Sequence, residues 1–269
     1  MRIGATMRHH SAILLFALLF SAAAPAQEPK QGPVTPPPRP ELKRIPANPA
    51  PETPPIPAEE IIERFTKKEG ELKQAHEQFN YRLTVRVQEL DETGKAAGEW
   101  QVVSEIVFKP DGTRVGRIIS QPPSTLKRMD FSVEDVQDLA SLPMFILTPD
   151  QRARYDITYQ GMQPLDELNT FIFRVQPRRL ERKVAQFEGL VWVDDRDFAI
   201  VKTYGRMVKE IEDDSVGLPF KIFETYRENI EGKYWFPTYT RSEDTVKSEL
   251  GETKLRLTIR SGEFRPRQN

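Results

Sequence analysis

The sequence contains no cysteine among its 269 residues, so disulfides and thiolate chemistry are both excluded. Histidine is scarce as well: His9 and His10 lie near the N-terminus, and His76 is the third and last. A multi-histidine zinc site or a serine–histidine pair has little to build on. We interpret His76 as a surface or helix-edge residue. The sequence predicts no catalytic residue, no metal site, no cofactor and no enzymatic activity.

Neither sign of charge dominates. The chain has 39 Lys and Arg residues against 40 Asp and Glu residues, a formal net charge of -1. This balance gives no support for nucleic-acid binding. No glycine-rich phosphate loop is present either.

Long apolar runs are missing except at the N-terminus. Arg2 and Arg8 accompany "SAILLFALLFSAA", which is short for a membrane span, and Ala24-Pro25-Ala26 offers small residues for cleavage. We predict a signal peptide over 1–26, cleaved after Ala26; an uncut N-terminal anchor is the alternative. Cleavage removes two Arg and no acid, leaving 37 minus 40, or -3. We expect a protein exported to the periplasm that is not an integral membrane protein.

Residues 27–57 form a proline-rich segment. Twelve of the 23 prolines lie in it. Proline fixes its own φ, lacks an N–H and biases the preceding residue away from helix, so the segment cannot build a core. It predicts a disordered linker or semi-rigid spacer. A recognition motif for an envelope partner is the functional alternative.

The remaining residues, 58–269, predict one domain that begins with a helix. Pro57 precedes two acids that suit a helix N-terminus, and apolar residues follow at helical spacing to Phe79. From Tyr81 the period changes to two in "YRLTVRVQEL", which indicates a half-buried strand. A second hairpin is predicted around Asp111-Gly112. One or two short helices are predicted between 132 and 153, from caps at Ser132 and Thr148.

Strand patterns then continue to the end of the chain. The predicted runs are 155–161, 170–177, 185–193, 199–208, 219–229, 233–242 and 252–264. Sheets of about ten strands tend to curl or to split into two. A curled sheet has a concave face that must be covered, and only the predicted helices are available to cover it. The fold class is therefore mainly β (α+β): a curled antiparallel sheet of about ten strands forming a half-barrel, covered by an N-terminal helix and short mid-chain helices. A two-sheet sandwich is the alternative.

Two charged clusters are candidate sites for a metal ion, for catalysis or for contact with a lipid or partner. The cluster Asp194 to Asp197 could bind Ca²⁺ or supply an acid–base pair, but no calcium-loop pattern surrounds it. Asp also favours turns, because its carboxylate accepts nearby backbone N–H groups, and we interpret this cluster as a hairpin tip. The basic run "QPRRLERK" at 176–183 is interpreted as a solvated loop, with contact to lipid headgroups or an acidic partner as the alternative.

The hairpin "GLVWVDDRDFAIVKTYGR", followed by "NIEGKYWFPTYTR", resembles the LolA-like proteins, the outer-membrane lipoprotein-sorting family. The residues that carry this resemblance are Trp192, Val193, Asp194, Val201, Lys202, Gly232 and Pro237. It covers 155–245 in detail and 60–265 in layout. It implies a half-barrel closed by helices, with an apolar interior that holds acyl chains of lipoproteins or related lipids.

From the resemblance and the strand patterns we expect a non-enzymatic periplasmic protein. It would bind a lipid or lipoprotein acyl chain in an apolar concave cavity, in lipoprotein sorting or envelope lipid handling. The predicted lining residues are Leu83, Val85, Val87, Phe173, Val191, Val201, Leu255, Leu257 and Ile259. The alternative is a structural or sensory envelope module with a self-filled core and a protein partner. A carboxylate-based hydrolase is a third class.

Overall fold

The structure is a computed structural model that describes residues 53–109, 113–141, 145–181, 184–209, 219–248 and 251–267. The predicted signal peptide, most of the proline-rich segment and the Asp111-Gly112 turn lie outside these residues. Ten strands form one antiparallel sheet that does not close, with two α-helices on it. The predicted mainly-β half-barrel is confirmed. Among the described residues, no helix combines the length and apolar character needed to cross a membrane.

The helices are α1 (Ala58–His76) and α2 (Val133–Ser141), with a short 3₁₀ turn at Arg152–Arg154. The strands are β1 (Phe79–Leu90), β2 (Ala96–Phe108), β3 (Arg114–Ser120), β4 (Tyr155–Leu165), β5 (Leu168–Pro177), β6 (Gln186–Asp194), β7 (Ile200–Val208), β8 (Phe223–Ile230), β9 (Tyr234–Ser248) and β10 (Gly251–Pro266). Each of the seven runs predicted from residue 155 onward corresponds to one of β4 to β10.

The strand order in the sheet is β3-β2-β1-β10-β9-β8-β7-β6-β5-β4. The first strand therefore pairs with the last, for example Val85 with Ile259. Strands β3 and β4 follow each other in sequence but lie at opposite edges, separated by nine strand spacings, or roughly 43 Å measured along the curled sheet. The connection between them has to cross a face of the sheet. Helix α2 belongs to this connection, which explains why it covers the sheet.

Helix α1 covers the β4–β7 half of the sheet with its first turns. Pro57 is its N-cap, and Glu59 and Glu60 occupy the first turn, where they interact favourably with the helix dipole. Ile61 and Phe65 are fully buried against the sheet.

Helix α2 begins as the sequence predicts. The Asp135 carboxylate accepts hydrogen bonds from the backbone N–H of Ser132 at 2.7 Å and from its hydroxyl at 3.1 Å, which satisfies the helix start. The second predicted cap at Thr148 does not begin an α-helix. It leads into a turn and the 3₁₀ segment, because the chain enters β4 at Tyr155.

Candidate functional site

The candidate site is the helix-covered, concave face of the sheet. Alternation along β1 and β10 points one side chain in two towards the helices. Six of the predicted lining residues meet there, each 3% exposed or less: Leu83, Val85, Val87, Leu255, Leu257 and Ile259. Val136, Leu139 and Ala140 of α2 belong to the same buried group. We call this group the α2 cluster.

A second apolar group, the α1 cluster, lies under the first turns of α1. Phe173 and Val191, both predicted to line the site, are fully buried in it. The Phe173 ring lies 5.5 Å from the ring of Phe65 in α1. Phe145, which follows α2, stacks on Phe187 of β6 at 4.2 Å. The concave face therefore has two apolar regions, each covered by a different helix.

Val201 is not on the concave face. It packs with Ile172 and Trp192 in a separate buried group, whereas its neighbour Ile200 belongs to the α1 cluster. The pairing of β6 with β7 shifts register here, so Val201 is the extra residue of a β-bulge and packs with the outer group. The sequence placed it wrongly because both faces of this strand carry apolar residues and the bulge interrupts the alternation.

A buried ion pair joins the covers to the sheet. Arg227 of β8 donates to Glu69 of α1 through Nη1 at 2.6 Å and through Nη2 at 3.1 Å. The same Nη2 donates to the backbone carbonyl of Phe145 at 2.8 Å. The two side chains are 1% and 2% exposed. One guanidinium therefore holds α1, the segment after α2 and the middle of the sheet together.

Neither residue of this pair was singled out from the sequence, although a signal exists for Glu69. It is four residues after Phe65 and three before Leu72, so it lies on the apolar face of α1. Likewise, Arg227 continues the inward alternation of Phe223 and Thr225 in β8. A charged side chain on the buried face of a helix or strand predicts a buried partner of opposite charge, because an unpaired buried charge is costly.

His76 is buried, and its interpretation as a surface or helix-edge residue was wrong. It is 8% exposed, and its ring centroid lies 5.4 to 5.9 Å from those of Tyr81, Phe108 and Phe236. Burial, with smaller contributions from Arg114 and Arg227, lowers the pKa of His76 from 6.5 to about 4. The side chain is therefore neutral at pH 7 and serves as part of an aromatic core.

The cluster after β6 is a hairpin tip, as the sequence indicated. Oδ2 of Asp194 accepts hydrogen bonds from the backbone N–H groups of Arg196 at 3.2 Å and Asp197 at 2.7 Å. Asp197 accepts a hydrogen bond from the indole N–H of Trp235 at 3.1 Å. Among the described residues, no group of three or more His, Asp or Glu side chains could hold a metal ion.

The basic run lies at the β4 edge, and its residues 182–183 lie outside the described part of the chain. Arg178 pairs with Asp156 at 3.1 Å and donates to the carbonyl of Tyr155 at 3.2 Å. These contacts attach the loop after β5 to the start of β4.

A cleft of about 190 Å³ opens between α1 and the β8–β9 turn, lined by residues that include Lys68, Leu72 and Trp235. Ligand pockets for small molecules typically enclose about 300–1,000 Å³. This cleft is therefore too small for a lipid.

No family model matches the chain, and no curated protein matches it either. Solved structures do match. A DUF1329 family protein from Desulfovibrio piger is 16% identical, with 75% of this chain and 91% of that chain covered and a TM-score of 0.34. A LolA superfamily protein from Nitrosomonas europaea is 15% identical, with coverages of 76% and 94% and a TM-score of 0.33.

An outer membrane lipoprotein-sorting protein domain from Vibrio parahaemolyticus is 11% identical, with coverages of 77% and 94% and a TM-score of 0.33. The family that the sequence resembles is thus represented among the solved structures to which this chain is similar.

Proposed function

We propose that the protein is a non-catalytic binding protein of the periplasm that takes up an acyl chain of a lipid or lipoprotein on the concave face. The observation that carries this proposal is the small size of one cover. Helix α2 has nine residues and contributes only three buried side chains to the cover of its half of the face, beside Met129 and Phe220. The six sheet residues beneath it form a continuous apolar surface.

The energetics of exchanging this cover for a ligand support the proposal. Burying a Val or Leu side chain contributes roughly 1.5–3 kcal/mol, so the buried side chains of α2 contribute on the order of 5 kcal/mol. A methylene group moved out of water contributes about 0.8 kcal/mol, so six or seven methylenes offset the loss of α2. A chain of myristoyl length exceeds this number.

The other cover is fixed more firmly, which directs the proposed opening to α2. Helix α1 is 19 residues long and is tied to β8 by the buried pair of Glu69 and Arg227. Removing one partner of such a pair costs about 3–5 kcal/mol. The α2 cluster is therefore the proposed acyl site, and the α1 cluster is the permanent core.

The proposal is tested by purifying the chain from a bacterial periplasm and searching for co-purified lipid by native mass spectrometry. Uptake of a fluorescent fatty acid is measured in parallel. Leu257→Asp, at the centre of the α2 cluster, should abolish uptake. Val201→Ser, on the outer face, should leave uptake unchanged if it folds, which circular dichroism checks. Absence of lipid together with no uptake of added fatty acid would overturn the proposal.

A second candidate function is an envelope interaction module whose core is filled by its own side chains. The observation that favours it is the burial of eight predicted lining residues of the concave face, all 3% exposed or less, under the two helices. A chain that rejects fatty acid but is retained by envelope proteins would support this second function. The proline-rich segment would then serve as the tether.

A further inference from the structure

Strand β3 forms one edge of the sheet and is unusually exposed. Six of its seven residues are exposed, and Ile118 and Ile119 are 41% and 45% exposed. The pairing with β2 shifts register at Ile119, because Ser104 pairs with Ile118 and Val103 pairs with Ser120, so Ile119 is the extra residue of a β-bulge. Among the described residues, β3 has backbone strand pairing only to β2, and this pairing is regular from Arg114 to Ile118.

The charged side chains of β3 itself have one sign, because the strand contains Arg114 and Arg117 and no Asp or Glu. Over the whole chain the two signs are nearly equal. Glu105 of β2 pairs with Arg117, whose side chain remains 72% exposed. This edge therefore presents a basic surface with two exposed isoleucines.

The opposite edge strand, β4, is interrupted in its middle, whereas the register shift of β3 lies near its end, at Ile119. Its pairing with β5 is interrupted between Tyr159 and Gly161, and Pro164 lacks an N–H. Bulges and proline are devices that prevent another strand from pairing with an edge. Strand β3 contains no proline, and its free edge is regular over five residues.

We propose that β3 is the docking edge for an extended acidic peptide of a partner protein, which adds to the sheet as an eleventh strand. The peptide's backbone would pair with the free N–H and C=O groups of β3. Apolar residues at alternate positions would cover Ile118 on one face, and acidic residues would meet Arg117 on the other. This inference does not depend on acyl-chain binding, which takes place on the concave face.

Two other occupants fit the edge less well. A lipid surface would bring the unpaired backbone groups of β3 towards hydrocarbon, where nothing satisfies them. A second copy of the chain, paired β3 to β3, would bring the arginines of both copies together, and like charges directly opposite are destabilising. An acidic peptide satisfies the backbone and neutralises the charge.

The test uses the chain from Gln27 onward and three fluorescein-labelled, end-capped peptides. The first alternates Glu and Val over ten residues, the second replaces Glu with Lys, and the third is the first with every residue N-methylated. N-methylation removes the N–H donors along both edges of the peptide and keeps the charge. Fluorescence anisotropy should show binding of the first peptide, with at least about tenfold weaker binding of the other two.

Variants locate the site. Ile118→Thr with Ile119→Thr, and separately Arg114→Gln with Arg117→Gln, should each weaken binding by at least about tenfold. Met162→Thr on β4, where the side chain is 39% exposed, is the matched control and should bind normally.

Three results would overturn the proposal. Equal affinity for the N-methylated peptide would mean attraction of charge without strand pairing. Binding to phosphatidylglycerol vesicles that depends on Ile118 and Ile119, with no peptide bound, would assign the edge to a membrane. Failure of all three peptides to bind at low salt would leave β3 as an ordinary basic edge.

Discussion

Arg227 of β8 forms a buried ion pair with Glu69 of α1, with 2.6 Å between Nη1 and Oε1. The same guanidinium reaches the carbonyl of Phe145, which follows α2 in the chain. A charge this deeply buried is tolerated only when its partner is present, because desolvation of an unpaired ion is costly. The pair therefore ties α1 and the segment that contains Phe145 to the sheet.

Removing one partner should destabilise the protein strongly. Glu69→Gln and Arg227→Met are each expected to lower the free energy of unfolding by about 3–5 kcal/mol, measured by urea denaturation. The double variant Glu69→Leu/Arg227→Met should regain part of this loss, since no buried charge remains. Glu71→Ala, which removes the exposed ion pair with Lys68, is the control and should cost less than about 1 kcal/mol. Equal effects of the buried and exposed substitutions would contradict this account.

His76 should make the fold less stable in acid. Its pKa is about 4 in the folded chain and 6.5 in the unfolded chain, so the unfolded chain binds the extra proton between these values. Above pH 6.5, His76 does not change the free energy of unfolding. Between pH 6.5 and 4, protonation of His76 in the unfolded chain lowers this free energy, and below pH 4 the total decrease is roughly 3 kcal/mol. His76→Phe should remove this part of the pH dependence in urea titrations from pH 4 to 7. An identical slope in the variant would show that other groups cause it.

Gly189 of β6 is required by close packing. A Cβ atom there would lie 2.3 Å from the backbone oxygen of Tyr204 and 2.7 Å from Cζ of Phe187. Neither the paired strand nor the buried ring has room to move, so Gly189→Ala should lower the melting temperature and cost at least about 2 kcal/mol. Gly262→Ala in β10, where nothing lies within 4 Å of the added Cβ, is the matched control. It should be close to neutral, and similar losses for both variants would contradict the packing explanation.

The strands were predictable because their signal is local. Alternation along β1 predicted Leu83, Val85 and Val87 on one face, and all three are buried there. The pairing of β1 with β10 was not predictable, because it joins residues about 170 positions apart and no local pattern specifies it. The placement of β3 and β4 at opposite edges, which carries α2 across the concave face, follows from that pairing.

The candidate site was predictable only in part for the same reason. Glu69 was visible as a charge on an apolar helix face, but its partner Arg227 comes from a strand 158 residues away. Val201 was placed on the wrong face, since both faces of β7 are apolar and alternation along the strand does not reveal the β-bulge at this residue. His76 appeared isolated in the sequence, and the rings around it come from three different strands.

The proposed opening of α2 can be measured directly because the chain has no native cysteine. Leu139 of α2 is fully buried, so the thiol in Leu139→Cys should react with a maleimide only when α2 leaves the sheet. Fatty acid that displaces α2 should raise the labelling rate, whereas fatty acid bound elsewhere should leave it unchanged. Val191→Cys, buried beneath α1, is the matched control and should label slowly with or without fatty acid. An equal increase at both positions would indicate general loosening of the fold, and no increase at Leu139→Cys would place the acyl chain away from α2.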